Sequence, residues 1–319
     1  MILSLIKKMF NYNLHREMKK LITYSIIFIL AFLFFACDKP APTELIDDSQ
    51  EELAEYEILG KDLNDEFYSN GFDTTGVSQD LNRLPNLISL SGIKVTGGDD
   101  EIDTFSFAQT IFFDRTKPVF YSDGRLLAYQ TFLPGIVRFD NKIANAVPFR
   151  IRYRDNGVLM DTTLGFKNIL FSGRHGNMDQ FQYRHHSMMN FRLNFFGQEI
   201  SFDIPTPIEI NGNVELLGNR NNGDLRALLS WNRGDTETVT VIIGARLRDR
   251  HLVMPLYRVR TMDDGRLLVP PRFINRIPFQ QFDRIVFTFI RRFEHTHNNG
   301  DNDLRISSQS IHSIVVNLP

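Results

Sequence analysis

The stretch PFRIRYRDNGVLMDTTLGF, residues 148–166, constrains the fold more than any other. Phe149, Ile151 and Tyr153 alternate with Arg150, Arg152 and Arg154, and Asn156-Gly157 follows. A period of two places the apolar and cationic side chains on opposite faces of a strand. Asn-Gly supplies the two residues that tolerate positive φ in a tight hairpin turn. The stretch therefore reads as a β-hairpin with one buried and one solvated face. The theme recurs. ISLSGIKVTGG alternates into glycines, DTFSFAQTIFFDRTK sets Phe105 and Phe107 on one face, and NFRLNFFGQEISFDIP has Gly197-Gln198 between two alternating runs. No three-turn amphipathic helical pattern interrupts this region. Phenylalanine is abundant, 28 against 9 Tyr and 1 Trp, and aromatic rings suit pleated surfaces. The expected fold class is all-β and antiparallel.

Two prolines stand two apart in DIPTPIEING, residues 203–212. Proline cannot donate to a ladder and is kept out of central strands, so this segment reads as a domain junction. Beyond it, GDLRALLSWNRGDTETVTVIIGARL gives two strands around residues 232–235, and LVMPLYRVRTMDDGRLLVP turns at Asp263-Asp264-Gly265. FDRIVFTFIRRFEH and SIHSIVVNL flank THNNGDND and are expected to pair as a hairpin. The organisation expected is a leader (1–36), an acidic tether (37–85), and two antiparallel β-sandwich-like domains (86–205 and 206–319).

The leader rests on Ile22 to Phe35, an uncharged apolar run preceded by Met18-Lys19-Lys20. The run is short for a membrane span, which takes about 20 apolar residues, and suits the core of a signal peptide. Translation is expected to begin at Met18. Leu33-Phe34-Phe35-Ala36-Cys37 ends the run at the chain's single cysteine. One cysteine excludes an internal disulfide framework and any cysteine-only zinc site. Residues 38–66 then hold eleven acidic side chains and two lysines, which reads as a solvated tether with a short helix in SQEELAEYEILGKDL.

The Leu33-to-Cys37 run resembles a bacterial lipoprotein signal. The resemblance implies cleavage before Cys37, a lipid on its thiol, and anchoring at a membrane by two or more acyl chains. The protein would then sit in the bacterial cell envelope, on the periplasmic face or at the cell surface. Residues 208–319 resemble the immunoglobulin-like or fibronectin-III-like sandwich modules of envelope proteins. The carriers are LLSWNRGD, DDGRLLVPPRFINRIP and RIVFTFIRR followed by a terminal strand. That likeness implies a large aromatic between the sheets, a place that Trp231 alone can fill among tryptophans.

Chemical motifs are sparse. His295 and His297, two apart, would face one side of a strand and seed a metal site with Glu294, or with His312 on the partner strand; the same residues serve as a polar strand end. Asp301 and Asp303 lie in NNGDND, which collects oxygen ligands as a calcium loop does but lacks the EF-hand spacing. Turn geometry asks for the same residue types. His185-His186 would point to opposite faces of a strand. Ser172, His175 and Asp179 share a loop-like stretch without any nucleophile-elbow motif. There is no Walker lysine loop and no GxGxxG, and no cofactor is expected.

Between residues 240 and 292 stand eleven Arg against four Asp. Arg246 and Arg248, or Arg258 and Arg260, would line a strand face. That face is a candidate binding surface for an anionic glycan, a headgroup or an acidic partner, or a solvated face that blunts edge pairing. The formal net charge of −2 gives no cause to expect nucleic acid. The function expected is a lipid-anchored binding or structural protein that meets an envelope protein or glycan. A metal-dependent or carbohydrate-active hydrolase is the competing class. An accessory subunit of an outer-membrane assembly is a third, which an exposed apolar patch would favour.

Overall fold

The computed structural model describes residues 54–58, 86–97, 101–173, 181–195, 197–248, 253–278, 280–297 and 304–317. In chain order the strands are β1 (Glu55–Ile58), β2 (Asn86–Thr96), β3 (Ile102–Phe120), β4 (Leu126–Phe132), β5 (Ile136–Phe139), β6 (Lys142–Ile143), β7 (Asn145–Asp155), β8 (Val158–Ser172), β9 (Met188–Phe195), β10 (Gln198–Pro205), β11 (Gly212–Leu217), β12 (Arg226–Trp231), β13 (Thr238–Leu247), β14 (Val253–Met262), β15 (Arg266–Val269), β16 (Phe282–His297) and β17 (Leu304–Asn317). Among the described residues one short helix, α1 (Pro271–Ile274), and one 3-10 turn, Arg220–Asn222, accompany them. The chain is all-β.

The local signals become hairpins. β7 and β8 meet at Asp155↔Val158, with Asn156 and Gly157 at φ 48° and 81°. β9 and β10 turn at Gly197, φ 83°, and β16 and β17 pair antiparallel from Arg284↔Asn317 to His297↔Leu304.

Three sheets result. The longest has the order β1-β14-β13-β16-β17-β2-β3-β8-β7, with β4 beside β3. A four-stranded sheet runs β10-β9-β5-β6, and a three-stranded one β11-β12-β15. Each caps part of one face of the long sheet. Under the four-stranded cap, Ile88, Leu90, Ala108 and Leu170 of the long sheet meet Val137, Phe139, Met189, Phe191 and Ile204. Under the three-stranded cap, Val239, Val241, Ile243, Val259, Ile285, Phe287 and Phe289 meet Ala227, Leu229, Trp231, Leu267 and Val269. Trp231 is buried between the layers, its ring 5.9 Å from that of Phe289.

The two sandwiches share the long sheet. β17 pairs in parallel with β2 from Leu304↔Asn86 to Ile314↔Thr96, and every other described pairing is antiparallel. The segment around residue 205 is thus a crossover between two caps, while backbone hydrogen bonds run on beneath it. β12 and β13 belong to different sheets, as do β14 and β15, so Asn232–Asp235 and Asp263–Gly265 turn the chain between layers.

Within the expected tether, Glu55–Ile58 is a strand and not part of a helix. It pairs antiparallel with the edge of β14, Glu55↔Arg260 to Ile58↔Tyr257. Tertiary contacts override the helix propensity of a Glu- and Leu-rich segment. Glu57 accepts from Arg258, and the Tyr56 ring stacks on Phe273 at 4.3 Å.

Candidate functional site

Period two in β14 puts Arg258 and Arg260 on one face, alternating with buried Val259 and Thr261 on the other. Arg246 in β13 lies across the same outward face, since its strand neighbours Ala245 and Ile243 point into the core. Arg248 does not line it: β13 ends at Leu247, and Arg248 stands exposed in the turn, its N–H donating to the Gln281 carbonyl at 3.0 Å. The face carries its own counter-charges. Arg246 Nε donates to Asp283 Oδ1 at 3.0 Å, a second guanidinium bond reaches Oδ2, and the pair lowers the Asp283 pKa. Arg258 Nη1 donates to Glu57 Oε2 at 3.0 Å. Farther along, Arg305 and Arg292 share Glu294 Oε2 at 2.7 and 3.3 Å.

His295 and His297 both lie at the end of β16, two apart, and His295 is exposed. His312 does not join them. It pairs with Phe289, whereas His295 pairs with Ile306, six positions along the strand and about 20 Å away. Asp301, Asp303, His175, Asp179 and Cys37 lie outside the described residues. Among the described residues no three His, Cys, Asp or Glu side chains cluster as metal ligands would. His185 and His186 sit in a bend before β9, with His186 at φ 48°, so strand alternation does not apply to them.

The crossover between the caps collects the polar chemistry that strand patterns conceal. Ser308, Ser310 and His312 alternate along β17 and face it. Ser308 Oγ donates to the Pro205 carbonyl, Ile210 N–H donates to Ser310 Oγ at 2.9 Å, and Gly212 N–H donates to His312 Nδ1 at 2.8 Å. A ring nitrogen that accepts from a backbone N–H is unprotonated, so the proton sits on Nε2, 2.9 Å from Thr96 Oγ1. Burial, helped by Lys94, pulls the His312 pKa down to about 4. Lys94 itself donates to Asn211 Oδ1 at 2.7 Å and lies 4.0 Å from Glu209. Beside it, Gly92 leaves room for Tyr183 and His185: a Cβ there would lie 2.4 Å from Tyr183 Cδ1. Burial lowers the His185 pKa and raises that of Tyr183.

Arg291 completes the crossover. Nε and Nη2 grip both oxygens of Asp263 at 2.8 and 2.9 Å, Nη2 also reaches the Asn232 carbonyl at 2.6 Å, and Nη1 the Ile208 carbonyl at 3.2 Å. Trp231 Nε1 and Thr236 Oγ1 donate to the same carboxylate at 2.9 and 3.0 Å. Ser308, Ser310, His312, Arg291 and Asp263 spend their hydrogen bonds on the fold, which marks this part of the crossover as architecture, whereas Tyr183 Oη and His185 Nδ1 are buried without a hydrogen-bond partner among the described residues.

The surface offers a different feature at the end of the first sandwich. The β4–β5 connection is wedged between two backbones. A Cβ on Gly165 would lie 2.2 Å from the Thr131 oxygen, and one on Gly135 would lie 1.9 Å from the Asn194 oxygen. At this end stand Phe132 and Leu133 of the connection, Phe166 of β8, and Phe195 and Ile200 of the β9–β10 hairpin, while Ile136 pairs with Asn194 and so lies on the outer face of the four-stranded sheet, opposite Ile200, which pairs with the inward Leu193. All six are between 37% and 52% exposed. Side chains of this type normally lie inside. The five other than Ile136 leave an exposed apolar area at one end of the sandwich. The clue in the sequence was the pair of tandem aromatics, Phe112-Phe113 and Phe195-Phe196, where strict alternation breaks.

No protein-family model matches this chain, and no curated protein matches it in sequence. The fold and these surfaces alone define its class: an all-β protein of two sandwiches on a common sheet.

Proposed function

We propose that this is a lipid-anchored bacterial envelope protein whose β body binds a partner protein, as an accessory subunit does. The carrying observation is the apolar end of the first sandwich, Phe132, Leu133, Phe166, Phe195 and Ile200. Aromatic and aliphatic side chains at the centre of an interface supply most of its binding energy once they are desolvated. The anchor reading rests on the apolar run that stops at Ala36-Cys37, and it keeps the body at the periplasmic face or the cell surface. The outward arginines give weaker support for an anionic glycan, because Arg246 and Arg258 already hold Asp283 and Glu57.

The test is size-exclusion chromatography of the protein solubilised from its own envelope. Wild type should elute as a complex with an envelope protein. A Phe132→Asp, Phe195→Asp, Ile200→Asp variant with an unchanged Trp231 unfolding midpoint should elute alone. The same complex from both proteins would overturn the assignment.

A further inference from the structure

Edge strands are templates for another strand, and most sheets blunt them. The edge of β14 is used instead. β14 has ten residues, and among the described residues β1 pairs with four of them, Tyr257 to Arg260. The recognition is specific in three ways. Backbone pairing fixes the register. The outward cations Arg258 and Arg260 stand opposite Glu57 and Glu55, with Arg258 Nη1 at 3.0 Å from Glu57 Oε2. The inward Tyr56 enters a slot made by Phe273 of α1 and Tyr257, stacking on Phe273 at 4.3 Å and an interplanar angle of 4° while Tyr257 meets the same ring edge-on at 5.2 Å. Ile58, the last residue of β1, is largely exposed.

The geometry points to the β14 edge as a docking site for an extended acidic peptide with an aromatic residue between two carboxylates, a site that Glu55–Ile58 fills in cis. Each part of the site reads one part of such a peptide. The edge reads extended backbone, the guanidinium pair reads the flanking carboxylates, and the Phe273–Tyr257 slot reads the ring. The described pairing of four residues with one stacked ring makes a short strand, which a peptide reaching further along the ten residues of β14 can displace. Linkage in one chain gives β1 the advantage of a high effective concentration, so a trans peptide meets a closed site until it outcompetes it.

The exchange has a mechanical consequence that rests on the anchor reading. With β1 docked, the chain from Cys37 to Glu55 spans at most about 60 Å. With β1 released, the span from Cys37 to Asn86 rises to at most about 160 Å. A peptide that takes the edge would raise the ceiling on how far the body stands from its membrane.

The test needs no lipid, so its failure is separate from failure of the anchor. A fluorescent peptide with the sequence of residues 51–60 is titrated into the full chain and followed by anisotropy. The Tyr56→Ala, Glu57→Ala variant, which vacates the edge, should bind it at least tenfold tighter than wild type. Adding Arg258→Glu and Arg260→Glu should abolish binding, and a peptide with Ala in place of Tyr should bind at least tenfold more weakly. The Trp231 unfolding midpoint certifies that each variant is folded. Equal binding to the vacated and charge-reversed chains, or none to either, would overturn the proposal. So would a vacated chain that dimerises without taking the peptide, which would give the edge to a second copy.

Discussion

Arg291 and Asp263 form a bidentate ion pair in which both side chains are buried, 0% and 2% exposed. A buried charge is tolerated only when its partners satisfy it fully. Here the guanidinium also holds the carbonyls of Ile208 and Asn232, and the carboxylate also accepts from Trp231 and Thr236. One pair thereby fixes the crossover, the β12–β13 turn, the β14–β15 turn and β16.

Arg291→Met leaves Asp263 as an uncompensated buried charge. It should lower stability by about 3–5 kcal/mol in urea titration followed by Trp231 fluorescence. Gly234→Ala should lower it too, since its Cβ would lie 2.1 Å from Arg291 Cζ. A loss under about 1 kcal/mol for Arg291→Met would mean that the pair is solvated and not a clamp.

His312 predicts an acid-labile crossover. Its folded pKa, about 4, lies below the ordinary value of 6.5, so the unfolded chain takes up the proton first. Stability is therefore full above pH 6.5 and is lost as pH falls towards 4, by up to about 3 kcal/mol. His185, also lowered by burial, adds to the same slope. Asp283, lowered from 3.8 by Arg246, acts only below this window. Urea midpoints at pH 7, 5.5 and 4.5 should fall for wild type and flatten for His312→Gln. An unchanged slope in the variant would remove His312 from the account.

A common sheet predicts one unfolding transition. Trp231 lies in the second sandwich and Gly92 in the first. Gly92→Ala forces its Cβ against Tyr183 and His185 and should cost about 1–3 kcal/mol. The Trp231 fluorescence midpoint should move with that loss and coincide with the far-ultraviolet circular dichroism midpoint. A Trp231 midpoint that ignores Gly92→Ala would show two sandwiches melting independently.

Hairpins were legible because their information is local. Asn156-Gly157 carries its turn, and Phe149, Ile151 and Tyr153 carry their face, within a dozen residues. The parallel seam of β2 and β17 was not legible, because its pairs, such as Ile306↔Ile88, lie over two hundred residues apart and leave no periodic trace. The polar rungs on β17 left no sequence signal for a related reason: Ser308, Ser310 and His312 are buried against a proline-bearing segment, distant in sequence, that brings backbone groups in need of partners. Asp263 read as a turn residue, and it is one, but its second role depends on Arg291, 28 positions on. Strand β1 was readable in principle. Glu55-Tyr56-Glu57-Ile58 alternates at period two, a signal masked by the acidic run around it. On the outward arginine face, alternation placed Arg258 and Arg260 side by side as the strand has them, while Arg248 falls off it because the strand ends one residue earlier.

Mass spectrometry of the protein from its membrane fraction tests the central claim most directly. The mature chain should begin at Cys37, with residues 1–36 absent and the Cys37 thiol carrying a diacylglycerol. An intact precursor with an unmodified Cys37 thiol would contradict the anchor, and with it the assignment of this β body to the envelope.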